Sequence, residues 1–208
     1  MTQNNPIKPS KRELTKQTLA ARALVPLAAQ GYAAIGLREI ASELGVSLGS
    51  LHYYFNDKNE LLSSSMQQYK LQSLGELQAI THANTPASEK TNAFVDLMCV
   101  RITQETQLHR LWFDMRVQAL YNDELKEVID QYEEAFSEVS RQLLSAIGSS
   151  TIPAAQASAI FSGLFFDGVR DALRGNTQAE HIFRTGINQL LVTAGLTYQI
   201  ATKSSIKG

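Results

Sequence analysis

With 208 residues, 44% of them hydrophobic and 19% charged, the chain holds enough apolar material for one large domain or two small ones, which excludes a wholly disordered protein. Nineteen Lys and Arg against 20 Asp and Glu leave a formal charge of -1, so bulk positive charge does not hold it to nucleic acid or membrane, and only a local basic patch remains open. The single cysteine, Cys99, excludes an internal disulfide and a multi-cysteine zinc site, and it fits a reducing compartment as a small core residue.

Residues 1–10, with Asn4, Asn5, Pro6 and Pro9, read as a flexible arm without the apolar run of a signal peptide. Residues 203–208 read as a flexible tail. Between them helical periodicity recurs without a convincing alternating strand, so the expected fold is all-α with about nine helices. The first helix spans 10–29, with Leu14, Leu19, Ala23 and Leu27 as its apolar side. Gly31 ends it, and Pro26 is expected to bend or shorten it. Two short helices follow at 37–44 and 48–54, broken by Gly45-Val46-Ser47. Gly45 permits a left-handed helix end and Ser47 can cap the next helix. A helix over 57–83 opens on Asp57 with Glu60 three residues on, in the manner of a capping box.

Past Pro86, helices are expected at 87–106, 107–121, 122–147, 153–174 and 177–201. The 122–147 segment places Leu125, Ile129, Tyr132, Phe136, Val139, Leu143 and Ile147 at spacings of three or four, with an acidic face opposite that reads as solvated. The apolar stretch from Ile152 to Leu173 is interrupted by Asp167, Arg170 and Asp171, which marks a buried helix rather than a bilayer span. With no export signal either, the chain reads as cytoplasmic.

The stretch from Leu37 to Leu62 carries the functional signal. Ile40, Ala41 and Leu44 form the inner face of one short helix, and small Ala41 admits a second helix closely. Val46 and Leu51 pin that second helix, whose outward residues are short or flat: Ser47, Leu48, Gly49, Ser50, His52 and Tyr53. This is a helix-turn-helix pattern, suited to a major groove about 12 Å wide. Up to Leu62 the chain has seven Lys and Arg against five acids, and the remainder has 12 against 15. A mildly basic head on an acidic body agrees with a head that meets phosphate.

The same residues resemble the tetracycline-repressor (TetR) family of bacterial transcription regulators. The likeness runs through Gly31-Tyr32, Ile40-Ala41, Gly45-Val46-Ser47, Gly49-Ser50-Leu51, Tyr54-Phe55, Lys58 and Glu60-Leu61-Leu62, covering about residues 11–62. Two positions depart from the pattern: Leu48 replaces a common polar residue, and Gly36 replaces a common Ser or Thr cap. The resemblance implies a homodimer, with a DNA-binding head at 11–57 and a ligand-binding and dimerisation domain at 58–202. A small molecule in the body then usually lowers DNA affinity.

Together with side-chain chemistry, the resemblance gives a DNA-binding set of Arg38, Ser47, Leu48, Gly49, Ser50, His52, Tyr53 and Lys58, with Lys8, Lys11 and Arg12 reaching flanking phosphates or the minor groove. Tyr54 and Phe55 are expected in the core. The implied ligand site takes Tyr69, Phe94, Met98, Ile102, His109, Trp112, Phe113, Arg116 and Phe165 from the following helices, alongside Met115 as adaptable apolar lining. This points to a small, mainly apolar effector. Among the polar residues there, His109, Asp114, Arg116, Asp167 and Arg170, one or two orient a ligand, or they form an internal Asp–Arg pair or a pair at the dimer interface.

The segment 153–174 is apolar nearly all round, so one face is expected on its own core and another on a partner chain. Phe161, Leu164, Gly168, Phe183, Ile187, Leu190 and Leu191, with Gly163 and Ala194, are the expected four-helix dimer interface. Two recognition helices would then face successive major grooves of a palindromic operator. Catalysis is not expected: His52, His82, His109 and His181 have no metal-binding spacing, and there is no phosphate loop, nucleophile elbow or cofactor motif. An activator, a regulator that needs its ligand to bind DNA, and a helical protein-interaction module are the alternative readings.

Overall fold

Ser10 starts the first helix by accepting the Glu13 amide on its hydroxyl at 3.1 Å. The computed structural model describes residues 10–148 and 152–205, the side chains of 193–205 excepted. The arm at 1–9 with Lys8, residues 206–208 of the tail and the side chain of Ala194 therefore lie outside the described residues. Within these limits the chain forms nine helices and no strand: α1 (Lys11–Gln30), α2 (Leu37–Leu44), α3 (Leu48–Tyr54), α4 (Lys58–His82), α5 (Ala87–Gln104), α6 (Thr106–Gln118), α7 (Asp123–Ala146), α8 (Ala154–Leu173) and α9 (Ala179–Ser205). Among the described residues, no helix is long and apolar enough to cross a membrane.

The helices divide between two compact units, Met1–Tyr69 and Lys70–Gly208. The first thus takes in the opening turns of α4 along with the 11–57 segment. The long α9 helix continues past Lys203, where the sequence points to a frayed end.

In the first unit, α1 keeps Pro26 inside it and still reaches Gln30. Proline there removes one donor, and the helix is not shortened. Leu14 is half exposed rather than part of the buried side, which begins at Leu19. Gly45 ends α2 at φ 69°, ψ 31°, a left-handed conformation that a side chain would strain. The Val46 amide closes back on the Ala41 carbonyl at 3.0 Å, and Arg22 of α1 donates to the Leu44 carbonyl at 2.8 Å. The carbonyls freed at this sharp turn are thereby partnered. Ile40, Ala41, Leu44 and Leu51 are buried, which fixes the angle between α2 and α3.

In the second unit, the buried core draws on the last turns of α4 and on α5, α7, α8 and α9. Helix α8 packs against α5, α6, α7 and α9. The position of Gly168 is decisive, because a Cβ there would come within 2.6 Å of Ile102 Cδ1 and 3.4 Å of Phe183 Cβ. The close helix approach made by this glycine is therefore inside the subunit. Gly163, one and a half turns earlier, faces outward, and a Cβ at that position would meet nothing within 4 Å.

Candidate nucleic-acid interface and effector pocket

Helix α3 begins at Ser47, whose hydroxyl accepts the Ser50 amide at 3.0 Å. Leu51 and Phe55 are each 1% exposed and turn the helix's other side outward. Ser47, Gly49, Ser50, His52 and Tyr53 are exposed, Leu48 and Tyr54 are half-buried, and Arg38 is exposed on α2. The sequence-derived recognition face is thus brought together on one short helix. Tyr53 stands T-shaped to Tyr54 at 4.9 Å, and the Arg12 guanidinium lies 5.3 Å from its ring centre. Arg12, exposed at the start of α1, therefore adds a cation beside α3.

Lys58 has a different place from the one expected. It is half-buried, with Nζ donating to the Tyr32 carbonyl at 2.7 Å and the Ile35 carbonyl at 3.1 Å, over the Tyr32 ring. Two of its three donors thus hold the 31–36 turn, which removes it as an uncommitted phosphate contact. The Tyr32 hydroxyl also donates to Asn59 Oδ1. The cap at this helix start is real: Glu60 N–H donates to Asp57 Oδ1 at 2.9 Å, while the Glu60 carboxylate accepts from Asn56 N–H at 2.8 Å and from Lys16 at 2.7 Å. Partial burial opposes ionisation of Glu60, but the Asn56 amide and Lys16 outweigh it and hold its pKa below the usual range. At Gly36 no side-chain cap forms, and its N–H instead donates to Glu39 Oε2 at 2.5 Å.

The second unit contains a cavity of about 180 Å3 lined by Met98, His109, Trp112, Phe113, Arg116 and Phe165, six of the nine expected ligand residues. The other three are elsewhere. Phe94 and Ile102 are in the closed core, where Phe94 packs on Phe161 at 5.6 Å, and Tyr69 does not line the cavity. Lining that sequence periodicity did not reveal includes Lys70, Arg101, Tyr132, Glu133, Phe136 and hydroxyls from Ser137, Ser158 and Ser162. Tyr132 and Phe136 read as core and Glu133 as solvated face. A lysine and an arginine inside apolar helical segments were the signal available for Lys70 and Arg101.

The inner end is cationic. Lys70 and Arg101 are 3% and 2% exposed. Lys70 Nζ sits 4.1 Å from the Trp112 ring centre and 4.6 Å from that of Tyr132, so two aromatic faces solvate it. Burial, then the charges of Arg101 and Arg116, push its pKa well below the ordinary lysine value, with Glu105 opposing. Arg101 donates to Glu76 Oε2 at 2.9 Å and to the Ser73 carbonyl at 3.2 Å. His109 lies edge-on to Phe165 at 4.7 Å, with Nε2 3.6 Å from Glu105. Burial and the nearby Lys70 lower its pKa to about 3, so it is neutral. At the outer end, Arg116 of α6 reaches Ser162 of α8 at 2.9 Å and Glu133 of α7 at 2.7 Å. Asp114 is half-buried and does not line the cavity.

The expected dimer residues are mostly used at home. Phe161, Gly168, Phe183, Ile187 and Leu191 are buried in the subunit's own core, and Leu164 and Leu190 pack against it. The apolar excess of α8 is absorbed by four neighbouring helices. Among the described residues, what remains outside is a different set: Ile160, Phe166 and Leu173 on α8, and Ile182 and Val192 on α9. Asp167 and Arg170 pair with each other on α8 at 2.7 Å. Cys99 is buried, and burial pushes its thiol pKa up, as for an inert core residue.

Along the chain, a helix-turn-helix unit is followed by a helical unit with a cavity. Residues 19–64 match the family model described as bacterial regulatory proteins, tetR family. Solved structures similar to most of the chain include a TetR transcription regulator from Haloarcula marismortui (18% identity, 87% of this chain and 98% of that one, TM-score 0.69). The fatty acid degradation regulator FadR from Bacillus halodurans aligns at 18% identity over 89% of this chain and 96% of its own, with TM-score 0.69. A Saccharomonospora viridis protein solved with choline aligns at 18% identity over 86% and 95%, with the same TM-score of 0.69. No curated protein matches at a significant level. Residues 19–64 thus carry the N-terminal segment of the TetR family, and the likeness to these structures shows a TetR-like fold.

Proposed function

We propose that the protein is a homodimeric repressor that binds a palindromic operator and is released by a small molecule held in the second unit. The observation that carries this reading is the exposed face of α3, with Ser47, Ser50, His52 and Tyr53 outward and Arg12 beside Tyr53. Hydroxyls, an imidazole and a phenol on a helix this slender suit base edges and phosphate. Arg38, Gly49 and Leu48 complete the contact face, with Gly49 allowing close approach of the backbone and Leu48 limited to apolar contact.

The second copy is assigned to the outer stripe of α8 and α9, where Ile160, Phe166, Leu173, Ile182 and Val192 are 39–53% exposed and Gly163 admits a close neighbour. Exposed apolar residues recurring at helical spacing on two adjacent helices suit a symmetric four-helix contact. The cavity supports an effector site, and the choline held by the Saccharomonospora viridis structure supports small-molecule binding by this fold. Helix α4 begins in the head and carries Lys70 into the cavity, so a ligand held by Lys70 acts on a helix shared with the head. To favour the released state usefully, the effector must discriminate between the two states by about 1–3 kcal/mol.

Selection from a random duplex pool tests the reading. Enrichment of a two-fold symmetric site, weakened by salt, is the expected result. A folded protein that enriches no duplex sequence contradicts it.

A further inference from the structure

We propose that the effector is uncharged, a flat aromatic molecule of about one ring that carries a hydroxyl, carbonyl or amide and no net charge. The proposal rests on the cavity being the effector site and names the chemistry that this site accepts. Size and walls set the body of the molecule. A cavity of about 150 Å3 holds benzene, and this one is about 180 Å3. Trp112, Phe113, Phe136 and Phe165 offer it aromatic surface. On the α7 and α8 side, Ser137, Ser158 and Ser162 are half-buried, and Glu133, Ala155 and Ala159 of the lining are exposed. The cavity therefore opens there, past hydroxyls that both donate and accept and so suit a neutral polar substituent.

Charge is the selective limit. Lys70, Arg101 and Arg116 line the cavity, and each has a carboxylate of its own. Arg101 donates to Glu76 Oε2 at 2.9 Å, and Arg116 to Glu133 Oε1 at 2.7 Å. Lys70 has Glu105, whose charge favours the protonated amine. Glu105 also lies 3.6 Å from His109 Nε2, but His109 is neutral, so that carboxylate keeps its charge for Lys70. These cations and carboxylates therefore balance. An anionic ligand would compete with Glu76, Glu105 or Glu133 for a cation that is already held. A cationic ligand would find each of these carboxylates engaged. The Trp112 and Tyr132 faces that would receive it already hold Lys70 Nζ, at 4.1 and 4.6 Å. A neutral aromatic leaves every pair intact and gains the apolar walls. The sequence points to a mainly apolar effector, and the balanced lining adds the exclusion of either charge.

Benzamide, benzoate and benzamidine differ in charge at nearly constant shape. Trp112, the single tryptophan of the chain and 4% exposed, reports occupancy of the cavity through its fluorescence. Titration of the full-length protein is expected to shift Trp112 emission with benzamide. Benzoate and benzamidine are each expected to bind at least about 10-fold more weakly, a difference of about 1.4 kcal/mol. Glu133→Gln removes one negative charge at the mouth and keeps an oxygen that accepts from Arg116. That variant is expected to fold with an unchanged circular dichroism spectrum and to bring benzoate level with benzamide or ahead of it, whereas a purely structural role of Glu133 would leave the order of ligands unchanged. A smaller benzamide advantage over either ion in the unaltered protein overturns the proposal. So does an unshifted Trp112 emission with benzamide at about 10 mM, roughly the weak limit of specific binding, or a Glu133→Gln protein that keeps the original order. Selection of a duplex site by the same preparation keeps the two readings apart. An enriched site without benzamide binding defeats this proposal and leaves the repressor standing, and benzamide binding without a site defeats the repressor and leaves the cavity chemistry standing.

Discussion

The head and the body dispose of polar groups in opposite ways. On α3, hydroxyls, His52 and Tyr53 face solvent, and the helix is held by Leu51 and Phe55 behind them. In the body, Lys70, Arg101 and His109 face inward, each 2–3% exposed. A surface that reads a large polyanion needs access and pays little to stay hydrated. A site that selects a small molecule needs enclosure, where each charge is stronger and each missing partner is felt more. The head's apparent basicity is also partly internal: Lys16 bridges Glu60, Arg22 caps α2 and Lys58 holds the 31–36 turn. Among the described cations of the head, Lys11, Arg12 and Arg38 are exposed, and Arg12 lies beside Tyr53 of α3.

The contrast can be broken by substitutions that separate support from contact. The largest stability losses are expected from the supports: Phe165→Ala in the body costs about 3–5 kcal/mol and Leu51→Ala in the head about 2–5 kcal/mol, read by urea melts. Phe166, beside Phe165 but 43% exposed, behaves differently: Phe166→Glu is expected to turn dimer into folded monomer by light scattering. A dimer that survives it moves the interface off this stripe.

Acid sharpens the body's side of the comparison. His109 has a folded pKa of about 3 against an ordinary 6.5, so the unfolded chain binds a proton that the folded chain refuses between those values. Stability is therefore complete above pH 6.5 and falls as pH drops toward 3, with a slope approaching about 1.4 kcal/mol per pH unit. Glu60, with its pKa lowered from 4.5, adds a loss in the same direction only below that value. His109→Gln is expected to flatten the profile between pH 6.5 and 4.5, and an unchanged slope there contradicts the buried neutral imidazole. Gly168→Ala is next, about 1–3 kcal/mol, because Ile102 must move within a filled core. Tyr53→Ala is the smallest in stability, within about 0.5 kcal/mol, and weakens DNA binding if the face is used as proposed.

The head was legible because its signals are local. Gly45 at a left-handed turn, Ser47 as cap and the spacing of Ile40, Leu44 and Leu51 lie within a few residues of one another. The 122–147 helix of the body was legible for the same reason, from Asn122 capping α7 to Gly148, at positive φ, just past its end. What periodicity could not give was which apolar face meets which neighbour. Phe161 and Phe183 look as suitable for a partner as Phe166 and Ile182 until the crossing of α8 with α5 and α9 is known. Glu133 looked solvated because its partner, Arg116, lies on another helix. Lys58 fitted a phosphate contact by resemblance, and only the fold shows two carbonyls within reach of its ammonium.

The most direct test of the division of labour is a polarisation titration of the selected duplex with three proteins: the unaltered chain, Ser50→Ala/Tyr53→Ala and Lys70→Met. At least about a 10-fold affinity loss is expected for the α3 double variant, with an unchanged affinity for Lys70→Met. A double variant that binds as tightly as the unaltered chain, with its fold intact, contradicts the assignment of DNA reading to the α3 face.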